Sequence, residues 1–143
     1  MAADSRVTHG DDAGARVHRC EKLYRITVHT KGKEYPAIVG LAGGAFDGLA
    51  FLDWLTGNDR EPPQRLIDGE ADFTALVLHR HGLFEYDRWC RPDRITEKFY
   101  AVGSGAKAAL GAMHMGADAR TAVAIACKID PYTAVPIVSM TLK

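Results

Sequence analysis

The sequence lacks most of the features that mark secreted, membrane-spanning or nucleic-acid-binding proteins. Its three cysteines, Cys20, Cys90 and Cys127, are an odd number without CxxC spacing, which argues against a disulfide framework and a zinc site. No apolar run approaches the roughly 20 residues that span a bilayer, and the first residues lack the pattern of a signal peptide. The 18 basic residues balance the 18 acidic ones without a basic cluster, so we expect no nucleic-acid or membrane partner. We expect a cytoplasmic protein with reduced thiols.

The histidines and the last cysteine are interpreted as structural residues. His79 and His81 would share one face of a strand without a third ligand nearby, so we expect surface or turn residues and no metal ion. Cys127 falls within an apolar helical pattern, where a free cysteine usually packs as a small buried residue. No cofactor is expected.

The 143 residues are enough for one domain with a buried core, and their pattern alternates between strands and helices. Strands are predicted over 1–8, 17–28, 35–41, 72–79, 83–89, 98–102 and 134–142, with turns at 30–33 and at Gly82 and an exposed loop over 58–70. Helices are predicted over 45–56, over 106–115, and after Asp118 as N-cap. This order suits an α+β fold in which two sheets pack together with helices on both outer faces.

Apolar spacing also predicts which helix faces point inward. The predicted inward face of the first helix consists of Phe46, Leu49, Leu52 and Leu55. That of the last helix consists of Ala122, Ile125, Ala126 and Ile129. Gly57 is expected to cap the first helix, and Pro131 to end the last one at Asp130.

Two glycine-rich turns separate a strand from a helix, one over 40–44 and one over 103–105. Neither matches a phosphate-binding loop, because the sequence has no GxxxxGK[ST] and no GxGxxG after a first strand. Each turn alone is therefore typical of helix–strand packing.

In combination with other segments, these turns resemble a known family. The matching segments, in order, are Ala3-Asp-Ser-Arg-Val-Thr8, Glu21-Lys-Leu-Tyr-Arg-Ile26, Ile38-Val-Gly-Leu-Ala-Gly-Gly44, Ala101-Val-Gly-Ser-Gly-Ala106 and Asp130-Pro-Tyr-Thr-Ala134. Their order resembles proteasome β subunits and the HslV peptidase, and most of all short HslV-related proteins of bacteria and phages. The resemblance implies one N-terminal-nucleophile (Ntn) hydrolase domain over 1–143, with a four-layer αββα sandwich.

The resemblance also implies a threonine-type endopeptidase. In that family the hydroxyl of an N-terminal threonine attacks the peptide carbonyl while its own α-amino group serves as base. Lys22 matches the buried lysine beside the nucleophile, and Asp4 matches the carboxylate that pairs with it. Gly40 matches the residue whose backbone N–H faces the oxyanion. The structural alternative for Lys22 and Asp4 is a salt bridge on the surface.

Three further residues match the network around the threonine amine. Ser104 and Thr133 match hydroxyl residues that hydrogen-bond there, and Asp130 matches the acid that holds the network. A helix N-cap is the structural alternative for Ser104, and a turn before proline is that for Asp130; both are compatible with the catalytic roles.

Substrate-binding residues and partners follow from the same resemblance. Thr8 matches a position that binds an extended peptide main chain. Cys20, Ile38 and Ala42 would line a small apolar first specificity pocket, which favours cleavage after uncharged side chains. The implied partners are unfolded or peptide substrates, further copies in a homo-oligomeric ring, and an AAA+ ATPase unfoldase.

The beginning of the sequence departs from the family. Met1 falls where the family has already completed a first strand of about a dozen residues, so the resemblance implies an N-terminally truncated fold that is inactive without its threonine. Neither Thr8 nor Ser5 can replace it, because the nucleophile itself needs a free α-amino group. We expect an in-frame start upstream that encodes Met-Thr. The alternatives are a non-catalytic structural subunit of such a ring and an unrelated αβ binding domain that shares only the glycine turns.

Overall fold

A computed structural model describes residues 1–9, 16–30, 33–57, 61–64, 66 and 71–142 of the chain. Its contacts define two compact units: the first unit is Met1–Leu23 with Lys98–Met140, and the second unit is Tyr24–Glu97 with Thr141–Lys143. The expectation of a single domain over 1–143 stays a prediction.

The described elements confirm an α+β protein. The strands are β1 (Ala2–Ala3), β2 (Arg6–His9), β3 (Arg16–Arg19), β4 (Leu23–Thr30), β5 (Lys33–Gly43), β6 (Phe73–His79), β7 (Gly82–Tyr86), β8 (Pro92–Ile95) and β9 (Val138–Ser139). The helices are α1 (Ala45–Thr56), α2 (Ala106–His114) and α3 (Ala119–Ile129). Strands β4 to β8 form a five-stranded sheet in chain order, β1 pairs with β9, and β2 pairs with β3.

The core of the second unit lies between its sheet and α1. Alternate residues of β5 and β6, among them Val39 and Val77, are buried on the sheet face that Phe51 of α1 covers. The Phe51 ring lies 5.3 Å from that of Phe73 and 5.2 Å from that of Tyr86. Full burial of such a side chain stabilises a fold by about 1.5–3 kcal/mol.

Helix α1 has the predicted bounds but a different inward face. Phe46 and Leu49 were predicted to point inward, yet they are 72% and 43% exposed. The buried residues are Gly48 and Phe51. A Cβ atom on Gly48 would stand 3.1 Å from the Leu41 side chain. The helix therefore packs directly against β5 at this glycine, and its inward face is rotated away from Phe46.

The hairpin of the second unit is confirmed, with Gly82 at its turn in a backbone conformation of φ +130°. Strand β7 ends at Tyr86 instead of Trp89, because the Asp87 carboxylate accepts the Trp89 N–H and begins a turn. After that turn the chain runs back along β7 as the antiparallel strand β8, which was not predicted. In the predicted loop over 58–70, most residues lie outside the described part, but Leu66 is fully buried, so the expectation of exposure is wrong there. The predicted turn at 30–33 also lies partly outside the described residues.

The first unit packs α2 against α3 through small side chains. Ala109 and Met113 of α2 and Ala122 and Ala126 of α3 form its buried cluster. The Asp118 carboxylate accepts the Thr121 N–H at 2.7 Å, which confirms the predicted N-cap. The prediction for Ile129 is wrong, because this residue is 67% exposed at the end of α3. The predicted strand over 98–102 is absent from the described elements, and Phe99 and Ala101 instead pack against the helix pair.

The predicted N-terminal strand is divided into two short strands. Strand β1 pairs with β9, whereas β2 pairs with β3, where Arg6 lies opposite Arg19. The change of partner takes place at Asp4 and Ser5. The predicted strands over 17–28 and 134–142 are likewise divided or shortened. Among the described residues, no helix is long and apolar enough to cross a membrane.

Gly43 is a position at which we expect a side chain to disrupt the second unit. It has φ +88°, and a Cβ atom there would lie 2.4 Å from the Asp72 carbonyl oxygen. We expect Gly43→Ala to destabilise the protein by about 2 kcal/mol or more in urea unfolding, because both the backbone and its neighbour would have to shift. The matched control is Gly111→Ala in α2, which meets no atom within 4 Å and should stabilise by about 0.5–1 kcal/mol. Equal effects of the two substitutions would contradict this interpretation.

Candidate active site

The predicted pair of Lys22 and Asp4 forms in the first unit. Lys22 Nζ donates a hydrogen bond to Asp4 Oδ1 at 2.9 Å, and the two side chains are 19% and 11% exposed. Asp4 lies where the chain passes from β1 to β2, and Lys22 directly precedes β4. Because both groups are largely withdrawn from water, the contact is a fixed polar interaction and not the surface salt bridge that was the structural alternative.

The second oxygen of Asp4 fixes the main chain on both sides of the pair. Asp4 Oδ2 accepts the Arg6 N–H at 2.9 Å and the Ala134 N–H at 3.3 Å. The Ser5 N–H in turn donates to the Ala134 carbonyl at 3.2 Å. The segment that follows α3 is therefore held against the turn between β1 and β2.

Asp130 organises a second set of hydrogen bonds. Ser104 Oγ donates to Asp130 Oδ2 at 2.6 Å. The N–H and the hydroxyl of Thr133 donate to the Asp130 carbonyl at 3.3 Å and 3.2 Å. Asp130 also terminates α3 and accepts the Tyr132 N–H, so it has the turn role as well. The N-cap alternative for Ser104 is wrong, because Gly105 occupies the N-cap position of α2.

Gly105 permits the close approach that this network needs. A Cβ atom there would stand 3.0 Å from Thr133 Cγ2, 3.1 Å from Ala126 Cβ and 3.4 Å from Asp130 Oδ2. These distances are shorter than ordinary van der Waals contacts or at their limit, so a larger residue would push α2 away from Asp130 and Thr133.

The two sets of hydrogen bonds meet at neighbouring residues. Thr133 belongs to the Asp130 set, and Ala134 binds Asp4. The structure therefore brings together five of the predicted site residues of the first unit, in one network whose two halves meet at the peptide between Thr133 and Ala134: Asp4, Lys22, Ser104, Asp130 and Thr133. Their catalytic roles stay a prediction.

Cys20 lies beside this network. Its N–H donates to the Ser5 carbonyl at 2.9 Å, and the residue is half-buried. Burial raises the pKa of the Cys20 thiol; the Lys22 charge opposes this shift and the Asp4 charge adds to it. The thiol is therefore protonated at neutral pH, as a pocket-lining apolar residue would be.

The hydrogen bonds of this network, as described, do not include four of the predicted residues. Ile38, Gly40 and Ala42 alternate along β5 in the second unit, so they share the sheet face opposite to Val39. Gly40 is a buried strand residue paired with Leu76, and the turn begins only at Gly43. Thr8 lies in β2 opposite Val17, and its side chain is outside the described part of the structure.

Sequence reasoning missed the contributions of Arg6 and Ser5. The Arg6 guanidinium donates to the Pro131 carbonyl, which ties the turn after α3 to β2. The Ser5 hydroxyl is buried and has no hydrogen-bond partner among the described residues. Both residues belong to the segment 3–8 that matches the family, so the motif indicated that this segment matters. It does not indicate that Arg6 and Ser5 bind main-chain groups of Pro131 and Ala134.

Comparisons with solved structures identify the fold. The chain is similar to BPH of Thiobacillus denitrificans in complex with epoxomicin, with 22% identity and a TM-score of 0.68, and to BPH without it, with 23% identity and a TM-score of 0.66. It is also similar to eukaryotic HslV from Trypanosoma brucei, with 21% identity and a TM-score of 0.68. Each alignment covers 96% of this chain and 88% of the other.

This chain has the HslV-type fold. The resemblance drawn from the sequence motifs is thus confirmed at the level of the fold. No family model and no curated protein matches the sequence. The HslV-type fold supplies the frame for the five-residue network of the first unit.

We expect the Asp4 carboxylate to stabilise the first unit more than the Lys22 ammonium does. Asp4→Ala removes three hydrogen bonds and should cost about 2–3 kcal/mol in urea unfolding, whereas Lys22→Met removes one and should cost about 1 kcal/mol. The double variant should be no less stable than Asp4→Ala alone, since Lys22 has then lost its partner. Asp93→Ala, at an exposed position of β8, is the control. Additive losses from the two substitutions would show that the pair is not coupled.

Proposed function

We propose that this chain is a proteasome/HslV-like, threonine-type peptidase subunit, a hydrolase of peptide bonds. The observation that carries the proposal is the largely buried Lys22–Asp4 pair. Asp4 accepts the Ala134 N–H, and Ala134 follows Thr133 of the Ser104–Asp130–Thr133 hydrogen bonds. The HslV-type fold supports it, because the residues of this network are among those that the family resemblance assigns to catalysis.

The chemistry of the network suits an N-terminal nucleophile. A threonine hydroxyl attacks the peptide carbonyl, and the α-amino group of the same residue takes its proton. The Lys22 ammonium, fixed by Asp4, would favour the deprotonated nucleophile by its charge. Ser104 and Thr133, oriented by Asp130, would orient the α-amino group.

The roles of the remaining predicted residues are carried over from the resemblance. These are Gly40 as the oxyanion donor, Thr8 as a partner of the extended peptide, and Cys20, Ile38 and Ala42 as lining of a small apolar pocket. The raised pKa of Cys20 supports its part in that pocket, because a protonated thiol is compatible with an uncharged side chain of the substrate.

The proposed partners follow from the same function. We propose that the subunit works in a homo-oligomeric ring in the cytoplasm, acts on unfolded or peptide substrates, and receives them from an AAA+ ATPase unfoldase. The support is the similarity to HslV and BPH in fold.

The experiment compares peptide hydrolysis by two proteins. One is the chain of residues 1–143, and the other is the same chain with an added N-terminal strand of about a dozen residues that begins with threonine. We expect the unextended chain not to hydrolyse peptides, because no hydroxyl residue in it has a free α-amino group. The extended chain should be active, lose activity with Thr→Ala and keep part of it with Thr→Ser. Lys22→Met in the extended chain should lower kcat/KM by about 10²-fold or more.

Lys107→Met is the matched control, since Lys107 is exposed on α2 and should leave kcat/KM unchanged. Hydrolysis by the unextended chain that disappears with Lys22→Met would mean that another residue is the nucleophile. A folded, assembled but inactive extended chain would instead favour the non-catalytic ring subunit.

A further inference from the structure

The second unit carries a cluster of aromatic and basic side chains that the proposed peptidase site does not use. We call it the basic platform: Tyr35, His79, Arg80, His81, Phe84 and Arg94. The His79 ring stacks on that of Phe84, with centroids 4.9 Å apart and planes 9° from parallel. The His81 ring meets His79 at 5.5 Å and Tyr35 at 5.0 Å, both edge-on. The four rings therefore form one contiguous surface.

Two arginines complete the platform. The Arg80 guanidinium lies 5.2 Å from the centre of the Tyr35 ring. A Cβ atom on Gly82 would lie 3.6 Å from Arg94 Nε and 3.9 Å from the Phe84 ring, so Arg94 and Phe84 flank the same turn. Both arginines are exposed, and each presents a planar guanidinium with several hydrogen-bond donors. The platform contains no carboxylate of its own.

Strand register places the platform at one end of the sheet face on which α1 packs. His79 lies opposite Ala37, Phe84 opposite Val77, and Arg94 opposite Phe84. Phe51 of α1 contacts Phe73 and Tyr86, at the other end of these strands. The rings of the platform thus extend the apolar face beyond the part that Phe51 covers.

Helix α1 of the same unit carries a surface with complementary properties. Phe46, Leu49 and Asp53 are exposed at spacings of three and four residues, so they share one face of the helix. We call this the α1 stripe: two large apolar side chains followed by one carboxylate. It matches the platform in chemistry, because its apolar residues suit the rings and its carboxylate suits an arginine.

We propose that the basic platform of one chain binds the α1 stripe of a second copy of this chain. The stripe is exposed in its own chain, so the platform it occupies must belong to another. The two surfaces differ, which makes the contact heterologous; each copy then presents one free platform and one free stripe, and repetition closes a ring or extends a filament. This proposal rests on the proposed ring assembly and is independent of peptidase activity.

The test uses two variants that each lack one half of the contact. Arg80→Glu with Arg94→Glu reverses the charge of the platform, and Phe46→Glu with Leu49→Glu removes the apolar part of the stripe. All four side chains concerned are exposed, so the fold should survive, which circular dichroism checks. Analytical ultracentrifugation of the unmodified chain should give assemblies, and each variant alone should show an apparent Kd raised by about tenfold or more.

An equimolar mixture of the two variants gives the decisive result. The platform variant keeps an intact stripe, and the stripe variant keeps an intact platform. One chain of each can therefore bind the other, but the remaining surfaces of that pair are both altered, so we expect a species of two chains that grows no further. The matched control is Arg88→Glu with Arg91→Glu, which reverses two exposed arginines outside the platform and should assemble like the unmodified chain.

Three results would overturn the proposal: a monomeric unmodified chain at high concentration, unchanged assembly of either variant, or folded variants whose mixture forms no two-chain species. Binding of a single-stranded oligonucleotide that depends on Arg80 and Arg94, with assembly unchanged in that variant, would assign the platform to nucleic acid instead. Loss of peptide hydrolysis with intact assembly would affect only the proposed function.

Discussion

The Asp4 carboxylate is the group on which the geometry of the first unit most depends. One of its oxygens holds Lys22, and the other holds main-chain groups of Arg6 and Ala134. The Arg6 donor is local, whereas Lys22 and Ala134 lie 18 and 130 positions from Asp4 along the chain. The carboxylate is only 11% exposed, so these donors replace most of the water that would otherwise solvate its charge. The carboxylate that holds the turn between β1 and β2 to the segment after α3 is therefore also the group that orients Lys22.

Close packing at Gly105 relates the position of helices α2 and α3 to the hydrogen-bonded residues of the first unit. Gly105 begins α2 within contact of Thr133, Ala126 and Asp130, while the alanines of α2 and α3 let the two helices approach each other. A side chain at Gly105 would press first on Thr133, Ala126 and Asp130, and would thereby disturb the contact between Ser104 and Asp130. The network thus depends on steric fit at one end and on charge compensation at the other, and Thr133 and Ala134 connect the two.

The sequence predicted those features that depend on neighbouring residues. The bounds of α1, the hairpin turn at Gly82 and the N-cap at Asp118 each have a local signal, and the structure contains all three. The pairing of Lys22 with Asp4 came from the resemblance, since nothing local relates two residues 18 positions apart. The strand predicted over 98–102 failed because apolar residues can pack against helices without a partner strand. The role of Arg6 could not be predicted, because it bonds to a main-chain carbonyl 125 residues away.

The observed orientation of α1, which differs from the predicted one, determines which apolar residues the second unit exposes. Periodicity assigned Phe46 and Leu49 to the core, on the assumption that the bulkiest residues face the sheet. Gly48 reverses this, because a helix approaches a sheet most closely where it has no side chain, and Phe51 then fills the space beside it. Two large apolar residues are left facing solvent, and exposed apolar groups of this size favour association when they lie near each other. The glycine that allows α1 to pack tightly is thus also the reason that the helix has an outer apolar face.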